Sequence, residues 1–491
     1  MTKKYVIALD EGTTSTRAVL YDIAAQKIAK VKSVSIKQHY PKPSYVEESA
    51  SEIYSASLGA LAEIIDETGA DQIAGIGITN QRETVVAWSK SSGKPLYNAI
   101  IWQCRRTADY CKEIEKRYGE VIRQKTGLRV DPYFSASKMH WLLENVPEVK
   151  AAADAGDLCL GTVETFLAYK LSGGKSFVTD YTNASRTMLF NIKTLEWDDE
   201  LLKIFGIKRE YLPEPVSPSA LVGEFDFDGT SIPIVGLAGD QQAAAIGQGC
   251  FARGSVKITY GTGMFMLSNL GDEFRLSDHG LLTTLGYGGE KPVYMFEGSV
   301  FNAGSAVQWL RDGLEFFKKS AQSEKLALSV KDNGGVYVVP AFTGLGAPYW
   351  VSDATGMITG ITRGTTKGHI TRAVLEAMAY SACDLIEVMS EEGGMKLAEL
   401  RVDGGASQND FLMQFQADVS GCVVDRPVER ESTALGAAYL CLIGLGIKTI
   451  DEIENIRQCD RKFYPARNRA AVKKYYSEWK KAVERCIYDK K

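Results

Sequence analysis

Ile232-Pro233-Ile234-Val235-Gly236-Leu237-Ala238-Gly239-Asp240-Gln241-Gln242 is the stretch whose reading decides the fold. A short apolar run reads as a buried strand, and a carboxylate at its end sits where an α/β sheet opens its crevice to ligand. By itself Gly239-Asp240 is an ordinary turn dipeptide, so its company has to decide. Further on, Ser255 to Tyr260 leads into Gly261-Thr262-Gly263 and then Met264 to Ser268. At the start of the chain, Tyr5-Val6-Ile7-Ala8-Leu9-Asp10 leads into Glu11-Gly12-Thr13-Thr14-Ser15 and then Ala18 to Asp22. Both read as strand, tight turn, strand. A turn of glycine and hydroxyl residues aims several backbone N–H groups at one point, which suits phosphate oxygens. Arg17, just past the first turn, adds positive charge. Either turn taken singly is a plain hairpin. Two of them, with Asp403-Gly404-Gly405-Ala406-Ser407-Gln408-Asn409 and one acidic strand end, point to phosphoryl transfer.

Helical signals alternate with these strands. Ser49-Ala50-Ser51-Glu52 has the form of a capping box, and Tyr54, Leu58, Leu61 and Ile65 follow as one apolar stripe. Ile73 to Thr79 is another buried strand, and residues 369–389 carry a second helical stripe through Ile370, Val374, Met378 and Leu385. The alternation predicts an α/β fold. Two halves that each open on a Gly/Thr hairpin predict a duplicated domain pair, residues 1–250 and 251–491, with the boundary near 247–254. Pro213, Pro215 and Pro218 read as a loop feeding the Asp240 strand. The last helix, from about Asn468 to Tyr488, reads as mostly solvated.

Composition narrows the class. A chain of 491 residues, 45% hydrophobic and 24% charged, is ordinary for a globular protein of two or three domains. The net charge of −4 gives no sign of a nucleic-acid partner. No apolar stretch approaches the roughly 18 residues a membrane span needs, and the N-terminus lacks a signal-peptide pattern. The nine cysteines are scattered and odd in number. They read as reduced thiols, and a cytoplasmic protein is the simple expectation.

Competing phosphate motifs fail. Gly174-Lys175-Ser176 ends like a Walker A loop, but Tyr169 stands where its first glycine belongs. Gly247-Gln248-Gly249 mimics a dinucleotide fingerprint with no apolar strand leading into it. Arg82-Glu83, at the end of the strand that closes on Asn80-Gln81, reads either as a surface ion pair or as a polyol clamp in which Arg donates and Glu accepts. Trp102, Tyr133 and Phe265 would each be core residues if considered alone.

Together these stretches resemble the FGGY carbohydrate kinases, within the actin/hexokinase/heat-shock ATPase fold group. The resemblance rests on residues 10–17, 79–84, Trp102-Gln103 with Arg105-Arg106-Thr107, 131–135, 239–244 and 260–263. It continues through Ala303-Gly304, 307–312, 344–350 and Asp403-Gly404-Gly405, in family order across essentially the whole chain. Both family signature stretches are present, Tyr133 to Asn145 and Gly356 to Glu376. The Arg82-Glu83 pair with Trp102 points, within the family, to members that phosphorylate glycerol.

The resemblance implies an α/β fold of two ribonuclease-H-like domains around a deep cleft that receives ATP, Mg²⁺ and glycerol. It implies Asp10 at the metal, through water; Thr13, Thr14, Ser15 and Arg17 at the nucleotide phosphates from the first domain; and Gly261 and Thr262 from the second. Gly304, Gln308, Gly405 and Asn409 would line the adenosine. Arg82, Glu83, Tyr133, Asp240 and Gln241 would bind the polyol hydroxyls, Trp102 and Phe265 would wall its carbons, and Asp240 would be the general base. A homo-oligomer, dimer or tetramer, is implied on the same ground.

Two departures concern regulation. Relatives inhibited by fructose 1,6-bisphosphate carry a glycine-rich loop ending in Gly-Thr-Arg before this strand. Here that stretch is Phe225-Asp226-Phe227-Asp228-Gly229-Thr230-Ser231, and no histidine lies between His140 and His279 to match the phosphorylated one of some Gram-positive relatives. The nearest alternatives are a sister kinase for a pentulose or longer polyol, which a substrate panel separates, and an actin-like or chaperone-type ATPase. A test for glycerol-stimulated ADP release separates the latter.

Overall fold

The strand Tyr5–Glu11 is buried at every residue but its first, as its unbroken apolar sequence requires of a strand covered on both faces. A computed structural model describes residues 3–289, 291–466 and 469–490 of the chain. Ser15–Asp22 returns antiparallel to Tyr5–Glu11, and Lys27–Ser35 pairs antiparallel with it in turn. On the other side Ile73–Asn80 runs parallel to the first strand and Thr230–Gly239 parallel to Ile73–Asn80, with Leu221–Phe227 antiparallel at the margin. The helix Ala50–Thr68 makes the crossover to Ile73–Asn80, and its cap is the expected one: the Ser49 hydroxyl accepts from the Glu52 N–H at 3.2 Å. Its buried stripe runs through Ile53, Ala60, Leu61, Ile64 and Ile65, leaving Tyr54 and Leu58 half-buried at the edge.

The same order recurs later in the chain. Val256–Tyr260 pairs antiparallel with Met264–Gly271, which neighbours Val293–Val300. On its other side come Glu399–Asp403 and Val423–Pro427, both parallel, and then Cys459–Phe463, antiparallel at the margin. Six strands repeat the order of the first sheet, with Leu282–Gly286 added as a seventh, so the fold is α/β and duplicated. The helix Lys367–Gly393 opens on a capping box between Thr366 and His369. The helix Arg469–Cys486 buries Val472, Trp479, Ala482 and Val483, while Lys473, Lys474, Lys481, Glu484 and Arg485 stay exposed, the solvated face that the sequence predicts. Asn468 lies outside the described residues.

Packing divides the chain into two units, Met1–Phe251 with Thr283–Tyr294 and Ser432–Ile456, and Ala252–Leu282 with Met295–Glu431 and Arg457–Lys491. By chain order the helix Ser432–Gly444 falls well past residue 250, yet it packs in the first unit. Nearly every side chain on it is apolar and buried, and a Cβ at Gly436 would lie 1.8 Å from the Ala243 carbonyl oxygen. Only glycine lets the two helix backbones approach so closely. The prolines do feed the Asp240 strand, as Leu237 N–H donates to the Pro218 carbonyl, but Glu214–Val216 is itself a short strand paired with Val178–Asp180. All nine cysteines are free and seven are buried. Among the described residues no helix is long and apolar enough to cross a membrane.

Candidate active site

Antiparallel register sets up the first charged pair. Asp10 lies directly opposite Arg17 across the hairpin, and the Arg17 guanidinium donates to the buried Asp10 carboxylate at 2.5 Å. The turn closes through the Gly12 N–H to the Ser15 carbonyl at 3.0 Å, with Thr14 exposed at its tip. Trp102, which follows the short strand Ala99–Ile100, donates its indole N–H to the Thr13 hydroxyl at 3.0 Å. Its ring meets Tyr133 edge-on at 5.8 Å. The hairpin and the aromatic wall are therefore one connected structure.

Arg82 and Glu83 occupy the bend between Ile73–Asn80 and Val85–Ser89. Both are buried, so the surface ion pair is ruled out. Nor do they chiefly pair with each other, since Arg82 Nε and Glu83 Oε1 stand 3.9 Å apart. Arg82 instead reaches Asp240 Oδ1 from Nε at 3.2 Å, Gln242 Oε1 from Nη1 at 3.2 Å and the Tyr133 hydroxyl from Nη2 at 3.5 Å. Glu83, with φ of +61°, accepts from Arg186 Nε at 2.7 Å. Lys138 lies wholly buried beneath, donating to the carbonyls of Pro132 and Tyr133, and burial brings its ammonium down to about 8.

Asp240 is the first residue of the helix Asp240–Gly247. Gln241 donates to it twice, N–H to Oδ1 at 2.7 Å and Nε2 to Oδ2 at 3.2 Å. With its side chain one-third exposed, 33%, Asp240 is oriented yet still accessible, unlike the 2% of Arg82. Just before it, the Gly239 N–H donates to the Thr182 hydroxyl at 2.9 Å, and that hydroxyl donates to Asp180. Behind Asp180 the buried Glu164 accepts from three threonine hydroxyls and Asn80. Burial, reinforced by Glu164, pushes the Asp180 carboxyl up to about 7. This polar network fixes the strand end that carries Asp240.

In the second unit the turn Gly261-Thr262-Gly263 is held by main chain. Thr262 O accepts from the N–H groups of Ala303 and Ser305, and Gly261 O from that of Gly304, each at 3.0 Å. Gly304 opens the helix Gly304–Asp312, and Gln308 lies exposed one turn on. Gly405 is exposed, and Asn409 caps the helix Asp410–Ser420 by accepting from the Leu412 N–H at 2.9 Å. Phe265 is half-buried opposite Thr259.

Arg186, Gln242 and Thr182 went unnoticed as site residues in the sequence. Each acts on a residue far along the chain, Arg186 on Glu83 across 103 positions and Gln242 on Arg82 across 160. The one visible signal was the polar run Asp180 to Arg186, out of keeping with the apolar segments around it.

Known proteins agree with this architecture. The sequence model of the FGGY family of carbohydrate kinases, N-terminal domain, matches residues 5–247, and that of its C-terminal domain matches residues 256–445. The chain is 50% identical over 490 residues, 98% of its length and 99% of the relative's, to the glycerol kinase of Bacillus thuringiensis (strain Al Hakam). It is 51% identical over 491 residues, 99% of both chains, to glycerol kinase 2 of Thermotoga maritima. The crystal structure of Plasmodium falciparum glycerol kinase with ADP matches it with a TM-score of 0.93 at 37% identity, over 99% of each chain. The chain belongs to the FGGY family of carbohydrate kinases.

Proposed function

We propose that this protein transfers the γ-phosphoryl group of ATP to a terminal hydroxyl of glycerol, forming sn-glycerol 3-phosphate, with Asp240 as general base. The observation that carries the reading is the Asp240 carboxylate itself. It is oriented by Arg82 Nε and by two donors of Gln241, yet keeps a third of its side chain accessible. Relatives that are half identical over their full length and named glycerol kinases support the choice of polyol. Phosphoryl transfer asks for alignment and charge balance more than for covalent help. Asp240 takes the hydroxyl proton, the oxygen attacks the γ-phosphorus, and ADP leaves. Arg82, Glu83, Tyr133 and Gln241 bind the polyol hydroxyls, while Trp102 and Phe265 border its carbons.

The first hairpin suits phosphate, with a glycine at its turn, hydroxyls at Thr13, Thr14 and Ser15, and Arg17 alongside. Gly261 and Thr262 would meet phosphate from the second unit, and Gly304, Gln308, Gly405 and Asn409 would line the adenosine. Asp10, a buried carboxylate at the hairpin's base, fits a role in holding magnesium through water. When bound, Mg²⁺ neutralises phosphate charge.

The test is ADP formation with and without glycerol, alongside other polyols and pentuloses. Glycerol-dependent turnover is expected, and Asp240→Asn should lower kcat by roughly 10²–10⁴ with ATP binding nearly intact. Turnover that ignores glycerol, or a fully active Asp240→Asn enzyme, would overturn the assignment.

A further inference from the structure

A guanidinium carries five N–H donors and a carboxylate about four acceptor sites, so a buried pair can be held in place by other groups and still bind a ligand. Arg82 and Glu83 do not close on each other. Their Nε and Oε1 atoms are 3.9 Å apart, and each has a holder. Arg186, with no exposed side-chain surface, places Nε 2.7 Å from Glu83 Oε1. Its guanidinium is fixed over the rings of Phe134 and Tyr133, at 5.2 and 5.8 Å. Gln242 holds Arg82 from the other side, Oε1 accepting from Nη1 at 3.2 Å. The Gln242 Nε2 donates to the Thr284 hydroxyl and to the Leu285 carbonyl, both at 3.2 Å. A carbonyl can only accept, so this amide has a single orientation, and its oxygen faces Arg82. At Glu83 the backbone adopts a left-handed conformation that a side-chain-bearing residue seldom keeps without support, and the Ser135 hydroxyl donates to its carbonyl at 3.2 Å.

We propose that Arg186 and Gln242 are positioning residues of the polyol site. Arg186 holds Glu83 and Gln242 holds Arg82, so the two stay apart and each keeps its orientation toward a small polyol. A hydroxyl both donates and accepts, and this separated pair offers it one partner of each kind. The inference rests on Arg82 and Glu83 being the polyol-binding pair.

Steady-state kinetics of Gln242→Met, Arg186→Met and Arg186→Lys test it, with Glu83→Gln alone and combined with Arg186→Met. Each Met variant should raise the glycerol KM by roughly tenfold or more while the ATP KM stays within about twofold. Gln242→Met should also lower kcat, because Arg82 orients Asp240, and Arg186→Lys should recover part of the loss. Adding Glu83→Gln to Arg186→Met should cost little beyond the larger single effect, since both act through one contact. Unchanged glycerol KM in Gln242→Met and Arg186→Lys, or multiplicative losses in the double variant, would overturn the proposal. Should Arg186→Met not fold, Gln242→Met and Arg186→Lys still decide it. Wild-type enzyme without glycerol-dependent ADP formation would sink the polyol reading and this one together, whereas a wild type dependent on glycerol with indifferent variants sinks only the positioning.

Discussion

The hairpins at residues 11–15 and 260–264 occupy the same place in two sheets that share an order over six strands, and their side chains hold them differently. In the first, the N–H groups of Ile36 and Gln81 donate to the Thr14 and Glu11 carbonyls, and side chains add to the main chain: Asp10 faces Arg17 across the register, and Trp102 donates to Thr13. In the second, the residues facing each other are Thr259 with Phe265 and Tyr260 with Met264, none of them charged. Main-chain N–H groups of Ala303, Gly304 and Ser305 anchor that turn, with no charged pair across it. Duplication set where the turns fall, while the side chains gathered charge in one unit and left the other shaped by backbone contact. Charge-changing substitutions should therefore act through the first unit, and changes of bulk through the second.

Gly304→Ala tests the second half of that statement. A Cβ at this position would lie 2.4 Å from the Gly261 carbonyl oxygen, so the turn itself has to move. Overpacking of this kind costs roughly 1–3 kcal/mol, which should appear as a rise of about five- to 150-fold in the ATP KM. The glycerol KM should stay put. An equal loss in both, or none in either, would mean that the second turn does not serve nucleotide.

The charged half has its own signature in pH. Behind the first hairpin Gln81 donates to Glu11 at 3.2 Å and to Glu48 at 2.7 Å, both wholly buried. Burial pushes the Glu48 carboxyl up to about 7, and burial with Glu48 nearby holds Glu11 well above the usual carboxylate range. Behind the second hairpin the corresponding contact is neutral, the Tyr260 hydroxyl to Gln416 at 2.8 Å. Between the ordinary carboxylate value and about 7, folded Glu48 keeps a proton that the unfolded chain has released. Its stabilising term is full at the acid end and is lost as pH rises through about 7. Wild-type Tm should fall from about pH 5.5 to about pH 8 by some 1–3 °C more than that of Glu48→Gln, a term on the order of 1–2 kcal/mol. Parallel melting curves for the two proteins would remove Glu48 as the source.

What the sequence disclosed and what it hid divide along physical lines. Unbroken apolar runs such as Tyr5–Glu11 and Thr230–Gly239 advertise buried strands, and the polar residues at their ends stand out, so the hairpins and Asp240 were legible. Arg82-Glu83 was legible as a pair, but its geometry was not. Adjacency in sequence says nothing about which distant group each charge will meet, and here those groups are Gln242 and Arg186. The helix Ser432–Gly444 was hidden for a similar reason. Its apolar composition says that it is buried, and only packing says in which unit.

The smallest effect expected is no effect, and it concerns a third glycine turn. Phe227 pairs with Thr230, leaving Asp228 and Gly229 as a two-residue turn with φ of +49° and +81°. Glycine alone does not make a phosphate site, and this turn shows why. Its one inward amide, the Gly229 N–H, already donates to the Asp226 carboxylate at 3.0 Å. Asp226, Asp228 and Ser231 are exposed around it, so a bisphosphate would meet two carboxylates and no guanidinium. Each charged contact missing from such a site costs on the order of 1.5–3 kcal/mol, at least about tenfold in affinity. Initial rates at fixed glycerol and MgATP should therefore be insensitive to sub-millimolar fructose 1,6-bisphosphate. Half-inhibition in that range would break the contrast at its root, because it would show a glycine turn ringed by carboxylates, or another surface altogether, doing what the amides and Arg17 of the first hairpin are proposed to do.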